Sequence, residues 1–189
     1  MSRVLVIHAS HYGQTFAIAE RIAQRLRDLG HDVDLGDAHA GVNALPPPED
    51  YDAVVLGSRV EVGRHASALL AYIRQHRAAL RRMPTGFFSV SMAAARPDAG
   101  DDPSGYIMNT LDQLEWHPTE TASFAGALLY RRYGWLMRMI MKRIARSAGH
   151  TTDTSRNHVF TDFAKVDAFA ARVGQLVAHE LTVEPIVHV

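Results

Sequence analysis

Short apolar runs alternate with longer amphipathic stretches along this chain. The first run, residues 4–7, is followed at 16–29 by apolar positions with helical spacing. Further apolar runs at 51–57 and 87–90 are also followed by helix-forming stretches. A strand buried in a parallel sheet is apolar on both faces, because helices cover the sheet from both sides. The pattern therefore predicts an α/β protein.

Weaker signals complete the predicted sheet and its helices. Polar and apolar residues alternate at 31–35, which predicts a second strand, and the last strand is expected at 123–128. Helices are expected at 66–82 and 163–180. Five strands alternating with helices favour a three-layer sandwich with a parallel sheet in the middle. We expect one domain over all 189 residues, with the flavodoxin-like strand order 2-1-3-4-5. In such a sheet, ligands bind beyond the carboxyl ends of the strands.

The segment between the first strand and the first helix carries the clearest chemical signal. It contains the hydroxyls of Ser10 and Thr15 and the flexible backbone of Gly13. A helix N-terminus has unpaired N–H groups and a partial positive charge, so it attracts phosphate. No lysine follows the glycine, and there is no Gly-x-Gly-x-x-Gly, which favours a phosphomonoester over a nucleoside triphosphate or a dinucleotide. The alternative is that Ser10 or Thr15 only caps the helix.

The composition mainly excludes classes of partner and of chemical site. The 20 basic and 20 acidic residues cancel, so no nucleic-acid partner is expected. The absence of cysteine excludes disulfides, thiolate metal sites and cysteine nucleophiles. His8 and His11 have no third ligand, so no metal site is expected. The chain start lacks the apolar segment of a secretory signal and no run is long enough to span a bilayer, which predicts a cytoplasmic protein.

Three loops are expected at one edge of the sheet, and together they resemble a known cofactor site. Ser10-x-x-Gly13-Gln14-Thr15 resembles the phosphate loop of flavodoxin-like FMN proteins, and the loops from Ser58 and Ser91 fall where such proteins hold the flavin ring. The resemblance implies FMN, bound by Ser10, His11, Tyr12, Gly13, Gln14, Thr15, Ser58, Arg59, Val60, Glu61, Val62, Gly63, Ser91, Met92 and Ala93. Because Glu61 and Val62 offer no aromatic ring, we expect the flavin to rest on Val60 or Val62 and on backbone.

Nearly the whole chain resembles the bacterial flavodoxin-like, quinone-linked protoporphyrinogen oxidases of haem biosynthesis. The resemblance is carried by Phe88-Ser89-Val90 and above all by Gly126-Ala127-Leu128-x-Tyr130-x-Arg132-Tyr133-x-Trp135. It implies oxidation of protoporphyrinogen IX to protoporphyrin IX, with FMN as the electron acceptor and a membrane quinone as the next one. The alternatives are another flavin-dependent quinone reductase and an electron-carrier flavodoxin without an organic substrate.

A basic helical insertion after the last strand, about 130–153, distinguishes this chain from short flavodoxins. On a helix, residues 135–146 gather leucine, methionine and isoleucine on one side and basic residues on the other. Such a helix can lie on the inner face of the cell membrane, where a quinone is within reach. Alternatively, its apolar face packs on the protein's own core or on a second copy in a homo-oligomer.

The insertion also supplies the predicted substrate contact. Arginine binds carboxylates through a planar fork and tyrosine offers an aromatic face, which suits a macrocycle that carries two propionates. The predicted contact therefore consists of Tyr130, Arg131, Arg132 and Tyr133. The alternative is a solvated charged turn. No catalytic base is assigned, because the histidine and carboxylates of the predicted ring loops are not distinguished from one another by the sequence.

Overall fold

The central sheet has the expected strand order. A computed structural model describes residues 1–10, 13–96, 99–128 and 158–180 of the protein. The chain forms β1 (Arg3–Ala9), β2 (Asp32–Asp37), β3 (Ala53–Glu61), β4 (Arg64–His65), β5 (Thr85–Ser91) and β6 (Glu120–Ala125). The order is β2-β1-β3-β5-β6, and the short β4 pairs antiparallel with β3. Because β4 adds one to the numbering, β5 and β6 are the fourth and fifth strands of the predicted order 2-1-3-4-5. The main strands are parallel throughout.

Helices cover both faces of the sheet. They are α1 (Gln14–Asp28), α2 (Ser67–Leu80), α3 (Tyr106–Leu114) and α4 (Phe163–Glu180). Alternate residues of β1 face opposite layers: Val4 and Val6 pack with α1 and α4, and the next residues along the strand pack with α2 and α3. This confirms the three-layer sandwich. No helix that the structure describes is long and apolar enough to cross a bilayer.

The prediction of a loop that begins at Ser58 is wrong, because most of the segment from Ser58 to His65 is a β-hairpin. β3 continues through Glu61, turns at Val62 and Gly63, and returns as β4. The turn residues have φ of 49° and 75°, which is the left-handed backbone of tight hairpin turns. A β-branched valine rarely adopts this conformation, so the sequence carries no ordinary hairpin signal here.

The predicted last strand is also divided in the structure. β6 ends at Ala125, and after Gly126 the chain forms β7 (Ala127–Leu128), which pairs antiparallel with β8 (His158–Val159). The Gly126 N–H donates to the Ser91 carbonyl at 3.0 Å, which holds the point of departure against β5. The β7–β8 pair joins the two ends of the segment 129–157. That segment, with the predicted helix at 135–146, lies outside the described residues.

Gly57 allows an aromatic ring to lie directly against β3. A Cβ added at Gly57 would lie 1.8 Å from the Cζ of Phe88. Phe88 is fully buried, and its ring centroid lies 5.9 Å from that of Phe124 and 6.4 Å from that of Phe169. The ring has no room to retreat, so the packing between β3 and β5 requires glycine at this position.

His65 ties the β3–β4 hairpin to the body of the domain. Its Nδ1 lies 2.9 Å from Thr110 Oγ1 in α3, and its Nε2 lies 2.9 Å from Ser89 Oγ in β5. The ring packs edge-on against Phe87 at 5.2 Å. Burial lowers the pKa of His65 to about 4. The neutral ring is satisfied on both sides, because each hydroxyl can donate or accept a hydrogen bond.

Gly57→Ala should lower the free energy of unfolding by about 3 kcal/mol, because the new methyl group overpacks a core that cannot yield. Urea denaturation measures the change. Gly100→Ala is the matched control, since a Cβ added at this exposed glycine meets nothing within 4 Å. Equal stability of the two variants would contradict the packing argument.

Acidification should destabilise the fold between the ordinary histidine pKa of 6.5 and about 4. In this interval the unfolded chain binds a proton at His65 while the buried ring stays neutral, so the stability is lost as the pH falls. The expected loss from this group is about 2 kcal/mol by about pH 4.5. His65→Gln removes the group and should flatten the curve of unfolding free energy against pH. Curves of the same slope for both proteins would show that His65 does not titrate in this way.

Candidate functional site

The carboxyl ends of the three central strands are level with one another. In the parallel ladders Ala9 pairs with Ser58, and Ser58 pairs with Ser89. The predicted phosphate segment follows β1, and the two predicted ring segments lie at the ends of β3 and β5. The structure therefore brings the described parts of all three segments to one edge, while His11 and Tyr12 lie outside the described residues. This is the edge at which ligands bind to open α/β sheets.

The first turn of α1 is open to an anion. Gly13 begins the helix in a left-handed conformation, with φ 89° and ψ −15°, and its N–H donates to Ser10 Oγ at 3.0 Å. Among the described residues no side chain caps this helix, and its first turn contains no acidic residue. Neither Ser10 nor Thr15 is therefore a helix cap: Ser10 shapes the loop, and Thr15 lies within the first turn. The backbone donors and the helix dipole remain available to a phosphate.

Gln14 fixes the phosphate segment to the far side of the sheet. Its Nε2 donates to Thr161 Oγ1 at 2.8 Å, and the Thr161 hydroxyl donates to the Ala125 carbonyl at 2.6 Å. The side chain of this predicted FMN contact is thus used within the protein. The cap of α4 is Asp162, whose Oδ1 accepts from the Ala164 N–H at 2.9 Å. No local signal reveals the link of Gln14 to Thr161, because 147 positions separate the two residues.

Ser58 anchors the base of the hairpin. Its Oγ accepts from the Ala66 N–H and donates to the Arg59 carbonyl, both at 2.9 Å, and the side chain is fully buried. The hydroxyl of this predicted flavin contact is thus used within the protein. The hairpin tip is different, because Val62 is 97% exposed. Val60 is half-buried and Gly63 is exposed, so the tip offers an apolar side chain and bare backbone to a planar ring.

The segment after β5 forms a compact turn. Ser91 is buried, and its Oγ accepts from the Ala94 N–H at 3.2 Å. Met92 and Ala93 are half-buried at the start of the short 3-10 helix Ala93–Ala95. Their apolar side chains have the character expected beside a flavin ring. The predicted substrate contacts, Tyr130, Arg131, Arg132 and Tyr133, lie outside the described residues.

His8, at the end of β1, is buried without charge. The side chain is 6% exposed, and its ring lies edge-on to Phe16 at 5.1 Å. Its Nδ1 has no hydrogen-bond partner among the described residues, and burial lowers its pKa. His8 is thus a residue of the core at the end of the sheet. Among the described residues, the attraction for an anion near Ser10 therefore comes from the helix terminus and not from the imidazole of His8.

Comparison with known proteins supports the architecture. A flavodoxin domain family model matches residues 5–155. Flavodoxin 1 from Bacillus cereus superposes with a TM-score of 0.55 at 15% identity, over 94% of this chain and 99% of that one. At this level of identity, the likeness shows the fold alone.

Two enzymes resemble the chain in sequence. Protoporphyrinogen IX dehydrogenase [quinone] from Escherichia coli is 33% identical over 175 residues, which cover 92% of this chain and 96% of that protein. NAD(P)H dehydrogenase (quinone) from Paraburkholderia phymatum is 31% identical over 93 residues, or 40% of this chain and 47% of that protein. The chain therefore belongs to the flavodoxin domain family, in the group that includes the quinone-linked protoporphyrinogen IX dehydrogenase of Escherichia coli.

Proposed function

We propose that the protein is an FMN-dependent dehydrogenase that oxidises protoporphyrinogen IX to protoporphyrin IX and passes the electrons to a quinone. The observation that carries this proposal is the identity with the Escherichia coli enzyme across 92% of the chain. The identity of 33% over this span contrasts with the 15% identity to the flavodoxin from Bacillus cereus, whose match covers a similar share of the chain. The similarity therefore favours a shared substrate as well as a shared fold.

The geometry of the sheet edge fits FMN. The open first turn of α1, with the loop shaped by Ser10 and Gly13, would hold the phosphate. The hairpin tip and the turn after Ser91 would flank the ring. When bound, the flavin supplies the redox chemistry, and the protein supplies binding, orientation and electrostatics. His65 stays neutral and bonded to two hydroxyls, so its role is to position the hairpin.

We extend the proposal to the insertion and the setting of the enzyme. The whole chain would form one domain in the cytoplasm, and residues 135–146 would lie on the anionic inner face of the cell membrane. Packing of this helix on the core or on a second copy remains the alternative. Tyr130, Arg131, Arg132 and Tyr133 would contact the substrate at the entrance of the insertion.

A second candidate function is oxidation of a nicotinamide cofactor by quinone. It is favoured by the partial similarity to the Paraburkholderia phymatum enzyme, which covers 40% of the chain. The match leaves most of the chain unaccounted for, so it carries less weight than the match to the Escherichia coli enzyme. The two functions differ in their electron donor.

Purified protein loaded with FMN should produce protoporphyrin from protoporphyrinogen IX under anaerobic conditions, and only when a quinone is present. Porphyrin fluorescence measures the product. A parallel reaction with NADPH and quinone is the control for the second candidate. Quinone reduction by NADPH without any quinone-dependent porphyrin formation would refute the dehydrogenase proposal and favour the second candidate.

Thr15→Val should weaken FMN binding by about tenfold, because the variant keeps the volume of the side chain but loses a hydroxyl donor for the phosphate. Fluorescence titration of the apoprotein measures the affinity. Riboflavin lacks the phosphate, so its affinity should not change. The exposed Thr121→Val is the matched control variant. Equal losses of FMN and riboflavin affinity would place Thr15 away from the phosphate.

A further inference from the structure

A cavity of about 270 Å³ lies between the β3–β4 hairpin and the amino end of α2. The hairpin contributes Arg59, Glu61 and Arg64 to its lining, and the turn after β2 contributes His39. The cavity therefore shares the hairpin with the proposed flavin site. Of these four residues, Arg64 and His39 have no part in the FMN contacts proposed above.

The cavity carries an excess of positive charge. Arg59 and Glu61 form an ion pair. Arg64 lies opposite Glu61 in the hairpin ladder, but among the described residues no carboxylate forms an ion pair with it. Among the described residues that line the cavity, two guanidinium groups thus face one carboxylate. His65 also lines the cavity, but both of its ring nitrogens are bonded to hydroxyls. The excess charge is that of Arg64.

The other wall of the cavity adds to this preference for an anion. Ala66, Ser67 and Ala68 line it at the start of α2. The Ala66 N–H is bonded to Ser58 Oγ, but no side chain caps the helix and its first turn contains no acidic residue. The positive end of the helix dipole therefore acts in the same direction as Arg64. A guanidinium fork binds a carboxylate with two parallel hydrogen bonds.

The size of the cavity indicates what part of a ligand it accepts. Pockets that enclose a whole small molecule measure about 300–1,000 Å³, so a volume of about 270 Å³ suits one substituent of a larger molecule. The proposed substrate is such a molecule: a large apolar macrocycle with carboxylates at the ends of flexible propionate arms. A macrocycle held against the hairpin tip brings its periphery towards the neighbouring cavity.

We infer that this cavity binds one peripheral carboxylate of the tetrapyrrole substrate through Arg64, with Arg59 as the second cation; the inference rests on the proposed function. Arg64 is then a specificity-determining residue for the proposed reaction. The second propionate remains for the predicted contact at Arg131 and Arg132. The ion pair with Glu61 holds the Arg59 guanidinium in place at the cavity wall.

Esterified substrate tests the inference, because esterification removes the negative charges and keeps the macrocycle. The experiment compares kcat/KM for protoporphyrinogen IX and for its dimethyl ester in the FMN-loaded wild type, Arg64→Gln and Arg64→Lys. Arg82→Gln is the matched control, since this exposed arginine follows the carboxyl end of α2, roughly 20 Å from the cavity. Flavin content is measured for every variant.

The wild type should prefer the free acid by about tenfold. Arg64→Gln should reduce that preference severalfold and leave turnover of the ester unchanged. Arg64→Lys, which keeps the charge but loses the fork, should retain part of the preference, and Arg82→Gln should behave as the wild type. A wild-type preference that persists in full in Arg64→Gln would overturn the inference, as would a wild type that does not distinguish acid from ester.

If the proposed function is wrong, the same experiment gives a different result. A wild type that oxidises neither compound would refute the dehydrogenase proposal. The inference then fails with it unless protoporphyrin IX itself binds, which quenching of tryptophan fluorescence measures without turnover. Binding that is tighter for the free acid than for the dimethyl ester, with the difference reduced in Arg64→Gln, would support the carboxylate site. Identical affinities of wild type and Arg64→Gln would overturn it.

Discussion

The level parallel pairing of β1, β3 and β5 is the constraint on which the rest of the structure depends. These strands are buried on both faces, and their register is fixed by close contacts such as that between Gly57 and the Phe88 ring. The three segments that follow the strands therefore begin at one height, along one edge of the sheet. The proposed site for a long, flat cofactor with a phosphate at one end follows from this alignment and would need few specialised side chains.

Along that edge, the groups that attract an anion differ from the groups that hold the hairpin in place. At the phosphate end, burial keeps His8 neutral and the helix terminus of α1 supplies the attraction for an anion. At the ring end, the hairpin is held in place by neutral hydrogen bonds, in which Ser58 and His65 bond to neighbouring elements. Arg64, beside the hairpin, forms no ion pair with a carboxylate of the described residues, and it adds positive charge to this region. In this proposal, the residue that would recognise substrate charge is distinct from the residues that would shape the cofactor site.

The fold follows from the sequence because its strands are continuous apolar runs and its helices have one apolar face. The errors have physical causes. Val62 adopts a left-handed backbone that β-branched residues avoid, so no turn signal marks the hairpin. The division of the last strand at Gly126 depends on the distant strand β8. The link from Gln14 to Thr161 joins opposite ends of the chain. The resemblance of the sequence to a family, rather than any periodicity, suggested the substrate.

The central claim is that electrons pass directly from protoporphyrinogen to the flavin. It is tested most directly by mixing the FMN-loaded protein anaerobically with protoporphyrinogen IX, in the absence of both quinone and nicotinamide, and following visible absorption. With the protein in more than threefold excess over substrate, the account predicts that three flavins are bleached for each porphyrin formed, because the oxidation releases six electrons and each FMN accepts two. A flavin band that does not respond to protoporphyrinogen, but is bleached when NADPH is added, would contradict it.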